Sequence, residues 1–258
     1  MTTVTSFDSL DELRRAFRSL RSDEPAVTRW ADAAPVRWVV ARGERVVLVC
    51  GCGRSSGATT VALGLATVAG RARVVETCGG IKSGLGFAAG AELGTVERQW
   101  LRGSRGQVIV ERQSESVYSP QRVPLPADCA LPLTVVDSSW DVASLVGSPG
   151  WLGDLARTGI AVVLVARATV PGLRRLEAAA QLIGETRVVA VTVGAKRWPR
   201  PVEQSAGAAV RRLRDEYRII DVPHEPALAV SGLTPDPLPS AILRPARALL
   251  TILEGPLS

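Results

Sequence analysis

Lysine is almost missing from this sequence of 258 residues. Lys82 and Lys196 are the only two lysines, so the net charge of +6 comes almost entirely from arginine. A basic balance permits contact with nucleic acid or with an anionic membrane surface. The abundance of alanine, valine and glycine beside the arginines indicates a compositional bias more than a selected basic face.

Other absences narrow the class of protein. No apolar run reaches the ~18 residues that span a bilayer, and the first residues lead into polar sequence, so we expect a cytoplasmic protein. The four cysteines lack the C-x-x-C spacing of a zinc site, which predicts reduced, mostly buried thiols. A redox or metal cluster of Cys50, Cys52 and Cys78 is the alternative. The only histidine, His224, has no nearby nucleophile or second ligand, which argues against a catalytic role.

The composition predicts one large domain with a short extension before it. With 46% hydrophobic and 22% charged residues, the chain can bury a substantial α/β core. A capping box from Ser9 to Glu12 opens a short amphipathic helix. We therefore expect an N-terminal helix and linker over residues 1–35 and a single domain over residues 36–258.

Residues 46–66 predict a strand, a phosphate-binding loop and a helix. An apolar run, VVLV, precedes small residues around one arginine, and a threonine pair then opens an apolar helical pattern. In the P-loop sequence G-x-x-x-x-G-K-[ST], backbone N–H groups and the lysine hold phosphate, and the hydroxyl holds Mg²⁺. Gly57 and Thr59 match this sequence, whereas Cys52 and Ala58 replace the first glycine and the lysine.

The missing lysine limits what this loop can do. A hydrogen bond from a charged group contributes about 1.5–3 kcal/mol, and the charge that develops in phosphoryl transfer needs further cationic help. Ala58 supplies neither. Arg54, in the loop, and Lys82, in a glycine-rich segment after the next strand, are the candidate replacement cations. Without them, the loop backbone and Thr59 or Thr60 would bind nucleotide only weakly.

The rest of the chain predicts repeated strand and helix units. Strands are expected near residues 37–40, 73–77, 107–111, 133–136, 161–166, 188–193 and 218–222, and helices over 59–69, from 172, over 201–217 and over 239–253. This alternation indicates an α/β fold with a mostly parallel central sheet and helices on both faces. Residues 114–132 are expected to be irregular. Asp137, where a strand ends, is either the acid that holds Mg²⁺ through water or a cap of a turn or helix.

These landmarks, in this order, resemble the ParA/MinD family of deviant P-loop ATPases over roughly residues 46–253. The resemblance is carried by the loop GRSSGATT with its helix ALGLA, the strand LTVV before Asp137, and VVLV leading to TVPGLRR. The late segment DVPHEPAL and a glycine followed by two prolines complete it. Family members have K-G-G-x-G-K-T-T, whose first lysine crosses to the partner subunit's phosphate in an ATP-sandwiched dimer. Gly53 and Ala58 stand at the two lysine positions, which makes the Walker A motif degenerate.

The resemblance also implies site residues and a positional role. Glu76 stands at the family's aspartate-rich strand end, and the segment Thr192-Val193-Gly194 stands where the family has an adenine-contacting asparagine. Lysine-poor loops ending in G-A-T-T are similar to those of the CpaE/TadZ branch and its septum-site-determining relatives, which are localisation factors. The implied nucleotide-binding residues are Gly53, Arg54, Ser55, Ser56, Gly57, Ala58, Thr59, Thr60, Pro223 and Glu225, with Asp137 as the catalytic residue and with Thr59 and Asp137 on Mg²⁺.

Three functional interpretations follow. The first is a ParA/MinD-like scaffold, homodimeric and with weak or lost ATPase activity, that recruits or positions a cytosolic or membrane-proximal assembly. Protein partners would recruit it to the membrane or a cell pole. The second is a slow ATPase that uses Arg54 or Lys82 as a replacement cation, with ATP and Mg²⁺ as cofactors. The third is a partition-type protein that binds DNA non-specifically through its arginines, with an affinity that falls as salt rises.

Overall fold

The computed structural model describes residues 37–78, 82–158, 160–194 and 197–255. The helix and linker predicted at residues 1–35 lie outside these ranges. Within the described ranges, no helix has both the length and the apolar character needed to cross a membrane.

A single mixed sheet forms the centre of the described residues. Its strands lie in the order β3-β4-β5-β2-β6-β1-β7-β8-β9. The seven strands from β5 to β9 in this order pair in parallel, and β3 and β4 add an antiparallel hairpin at one edge. The strands are β1 (Arg45–Gly51), β2 (Ala72–Glu76), β3 (Ala91–Val96), β4 (Trp100–Arg105), β5 (Val108–Gln113), β6 (Leu133–Ser138), β7 (Ala161–Arg167), β8 (Val188–Gly194) and β9 (Ile219–Pro223).

Helices cover both faces of the sheet. They are α1 (Ala58–Ala69), α2 (Val142–Gly147), α3 (Trp151–Arg157), α4 (Val170–Ile183), α5 (Arg200–Gln204), α6 (Ala208–Asp215), α7 (Pro226–Ser231) and α8 (Ser240–Glu254). Alternate side chains of β1 enter two separate cores, since Val47 and Val49 pack with α1 and α8 while Leu48 and Cys50 pack with α2 to α6. This arrangement confirms the predicted fold class.

The last helix packs against the helix that follows the phosphate loop. A Cβ atom at Gly64 of α1 would lie 3.3 Å from Ile242 Cγ2 and 3.4 Å from Ala246 Cβ, both on α8. The absence of a side chain at residue 64 therefore lets the two helices come close together. The helix predicted over residues 239–253 is present as α8, which buries Ile242, Ala246, Leu249 and Leu253.

The sequence-based assignment was wrong or incomplete in several places, and the helices α2, α3 and α7 were not predicted. Residues 37–40 form no strand, and the hairpin of β3 and β4 was not predicted. The expected helix over residues 201–217 is two helices, α5 and α6. The break has a clear cause: the Glu177 carboxylate accepts hydrogen bonds from the backbone N–H groups of Ala209 and Val210, both at 2.9 Å, and so caps the start of α6.

Candidate functional site

The P-loop, residues 52–57, turns sharply between β1 and α1. Gly57 and Ser55 have positive φ angles of 93° and 53°. A Cβ atom at Gly51 would lie 2.6 Å from Ser56 Oγ, so the loop folds back over the end of β1. A left-handed serine costs about 1–3 kcal/mol of backbone strain. The chain therefore maintains a strained loop of the phosphate-binding type.

The two replacement cations predicted from the sequence, Arg54 and Lys82, are both exposed. Among the described residues, Arg54 forms no ion pair. Lys82 lies in the loop after β2. Thr59 and Thr60, in the first turn of α1, are partly buried. Neither predicted cation is therefore held in place by the described residues.

A cation that the sequence analysis missed lies against the P-loop. The Nη1 atom of Arg175, on α4, is 3.1 Å from the position that a Cβ atom of Gly53 would occupy, and its Cδ is at 3.6 Å. Leu173 and Leu176 are buried on the inner face of α4, which turns Arg174 and Arg175 outward. A side chain at residue 53 would require this guanidinium to move by a few tenths of an ångström.

Two acids end neighbouring strands beside the P-loop. Glu76 on β2 and Asp137 on β6 are register partners, and Asp137 also pairs with Val49 of β1. Asp137 is 1% exposed, and its Oδ2 has no hydrogen-bond partner among the described residues. The Thr59 hydroxyl lies near enough to this carboxylate to lower its pKa. The structure thus brings together the two residues predicted to hold Mg²⁺, and one buried carboxylate oxygen beside them has no partner.

Burial dominates the electrostatics of these acids. It raises the pKa of Asp137 to about 7, and the nearby negative charge of Glu76 raises this pKa further, against a lowering by the Thr59 hydroxyl. Burial also raises the pKa of Glu76, opposed by hydrogen bonds from Ser83, Gly84 and Leu85. Two buried carboxyl groups without a paired cation favour the protonated form of at least one of them.

Glu76 is hydrogen-bonded to a second loop, residues 82–90, beside the P-loop. Its Oε1 accepts hydrogen bonds from the backbone N–H groups of Gly84 at 2.7 Å and Leu85 at 3.3 Å, and Ser83 Oγ donates to its Oε2. A Cβ atom at Gly84 would lie 2.8 Å from Thr59 Cγ2. Glu76 therefore positions this loop against the start of α1.

The ends of β8 and β9 form the other side of the site. Val193 Cγ2 lies 3.2 Å from the position of a Cβ atom on Gly57. Pro223, on β9, is the register partner of Gly194. A nucleotide-binding role of Pro223 and Glu225 stays a prediction. Thr192 is buried and donates a hydrogen bond to Asp221. The Thr192 hydroxyl is therefore already hydrogen-bonded within the protein. His224 contributes a backbone contact, its N–H donating to the Gly194 carbonyl at 2.9 Å.

The cysteines are free thiols, as predicted. Cys50, Cys52 and Cys78 are buried and Cys129 is partly exposed. Burial raises the pKa of both Cys52 and Cys78 to about 12. Thiols with such pKa values stay protonated near neutral pH and are poor nucleophiles.

The sheet and the P-loop place this chain in the fold class of ParA/MinD-type P-loop proteins. No protein-family model matches the chain, and no curated protein matches it. Solved structures do match. Apo McdA from Cyanthece aligns with a TM-score of 0.55 at 10% identity, over 82% of this chain and 100% of that one.

Two further solved structures have the same fold. A ParA family ATPase from Chlorobium tepidum gives a TM-score of 0.51 at 12% identity, over 81% of this chain and 98% of that one. A plasmid partition protein from Borrelia burgdorferi bound to AMPPNP gives a TM-score of 0.50 at 12% identity, over 81% and 97%. At these identities the likeness shows the shared fold.

Proposed function

We propose that this protein is a ParA/MinD-like scaffold or localisation factor that has weak or no ATPase activity. The observation that carries the proposal is the pair Gly53 and Ala58, which stand where the family that this chain resembles has its two lysines. The left-handed Ser55 in the P-loop and the nearness of the Thr59 hydroxyl to Asp137 support a site that can still hold a nucleotide.

The energetic consequence is large for turnover and smaller for binding. Each lost charge-assisted hydrogen bond to phosphate is worth about 1.5–3 kcal/mol, or roughly one to two powers of ten in affinity. The charge that develops around the β- and γ-phosphate oxygens in the transition state needs more cationic stabilisation than the ground state does, so the transition state loses more. A P-loop without these lysines is therefore suited to occupancy by a nucleotide more than to its hydrolysis.

A positional role accounts for such a loop, because an occupied P-loop can still shift the protein between two conformations without turnover. We propose a homodimer that works in the cytoplasm and that a protein partner recruits to a membrane or cell pole. ATP with Mg²⁺ is the proposed ligand, with Thr59 and Asp137 on the metal and Pro223 and Glu225 beside the base.

The test compares phosphate release by the natural chain with that of Asp137→Asn. Release from Mg·ATP that is equal in both and equal to the buffer background supports the proposal. Turnover in the natural chain that Asp137→Asn abolishes would overturn it and would establish the slow ATPase. Ala58→Lys is the matched gain-of-function variant: it should bind Mg·ATP at least about tenfold more tightly.

The partner role needs a separate measurement in the organism that makes the protein. A fluorescent fusion of the natural chain should concentrate at a fixed place in the cell. A fusion that stays evenly spread would contradict the proposal. A fusion that follows the nucleoid, together with DNA binding by the purified protein that weakens as salt rises, would favour the DNA-binding interpretation.

A further inference from the structure

Arg175 places a positive charge against the P-loop, where Gly53 and Ala58 provide no lysine. Its guanidinium lies over Gly53, with Nη1 at 3.1 Å and Cζ at 3.9 Å from the position of an added Cβ atom. The guanidinium comes from α4 of the same chain, so it reaches the P-loop without a partner subunit. Arginine also offers a planar fork that can bond two phosphate oxygens at once, which a lysine cannot do.

The charge of Arg175 is not neutralised by the described residues. The nearest acid on its own helix is Glu177, whose carboxylate is used to cap α6 through Ala209 and Val210. The two acids at the site, Glu76 and Asp137, are buried. Glu76 accepts hydrogen bonds from the second loop, and Asp137 lies near the Thr59 hydroxyl. Arg175 is exposed and forms no ion pair within the described ranges.

A second observation points to a ligand at the same place. Asp137 Oδ2 is buried and has no hydrogen-bond partner among the described residues, beside Thr59 in the first turn of α1. A buried, unpartnered carboxylate oxygen is costly unless something binds it. The unpartnered oxygen of Asp137 and the guanidinium of Arg175 thus both lie beside the P-loop. This arrangement suits a polyphosphate with a bound metal ion.

We propose that Arg175 is the phosphate-binding cation of this protein, contacting the terminal phosphates of a nucleoside triphosphate held by the P-loop. This inference rests on the proposed function and names its missing cation. Arg175 takes the role that the sequence suggested for Arg54 or Lys82. It is a binding residue, and the proposal includes no chemical step.

The experiment is calorimetric titration of the full chain with Mg·ATP and, separately, with magnesium tripolyphosphate. Arg175→Gln is compared with Arg174→Gln, an exposed arginine one residue away on the same helix. Arg175→Gln should weaken the binding of both ligands about 10- to 100-fold, and Arg174→Gln should change it less than about twofold. Both variants should keep the natural unfolding midpoint, because both side chains are exposed.

The outcomes separate this inference from the proposed function. Equal losses in the two variants would show a general basic field and overturn the role of Arg175, as would a loss for ATP without a loss for tripolyphosphate. No binding by the natural chain at millimolar ligand would overturn it too, while leaving the scaffold in place. Phosphate release measured in the same samples tests the proposed function alone, since an Arg175-dependent turnover would overturn only the absence of ATPase activity.

Discussion

The buried carboxyl group of Asp137 should lower the stability of this protein above neutral pH, and Asp137→Asn should recover that stability. Burial and the charge of Glu76 raise the pKa of Asp137 from 3.8 to about 7. A carboxyl group with a higher pKa in the folded state binds more protons there than in the unfolded state. The free energy of unfolding therefore falls as the pH rises between the two pKa values. Roughly three pKa units at about 1.36 kcal/mol each give an upper limit of about 4 kcal/mol.

The assay is urea denaturation of the natural chain and of Asp137→Asn at pH values of about 5 and 8. The natural chain should be less stable at the higher pH by about 2–4 kcal/mol. The variant should be the more stable protein at the higher pH and should lose most of this difference. Part of it should remain, because the pKa of Glu76 is raised in the same direction. A variant that is destabilised at the higher pH, or that keeps the full pH dependence, would refute this reasoning.

Three further predictions concern contacts that hold the site and the sheet. Gly84→Ala should cost about 1–3 kcal/mol because its Cβ atom would lie 2.8 Å from the first turn of α1, whereas Gly86→Ala, whose nearest contact is 3.7 Å, should be close to neutral in urea denaturation. Arg73→Met should cost about 3–5 kcal/mol, since Arg73 is 1% exposed and pairs with the buried Glu111; adding Glu111→Gln should recover part of that loss, and strictly additive costs would contradict it. Glu177→Ala should cost about 2–4 kcal/mol by uncapping α6, and an unchanged denaturation midpoint would show that the cap is dispensable.

The central sheet was predictable because its strands are continuous apolar runs. Strands such as β1 and β8 are buried on both faces, so each is a nearly continuous run of apolar residues in the sequence. The hairpin of β3 and β4 has no such run. All of β3 is exposed except its partly buried last residue, Val96, and the turn at Glu97 and Arg98 uses positive φ angles without glycine. Its pairing with β5 is a tertiary contact that local pattern does not contain.

The candidate site was predictable as far as it lies within one chain segment. The P-loop and Asp137 are marked by spacing and by strand ends, and the structure places them together. Arg175 was missed because its contact with Gly53 joins residues far apart in the chain, and nothing in the sequence says which arginine of TVPGLRR turns toward the loop. Glu177 was missed for the same reason: its carboxylate ends one helix and begins another only after the chain has folded.

The pattern of what this site has lost and what it retains bears on its use. A P-loop without function would relax, because a left-handed Ser55 and an unpartnered Asp137 carboxylate both lower the stability of the empty protein. A ligand that brings a cation to Asp137 would offset the second of these costs. Their presence beside the uncompensated charge of Arg175 therefore argues for an occupied site. Under the proposed function, the absence of lysine at Gly53 and Ala58 would weaken mainly the stabilisation of the transition state, which a nucleotide-responsive scaffold does not need.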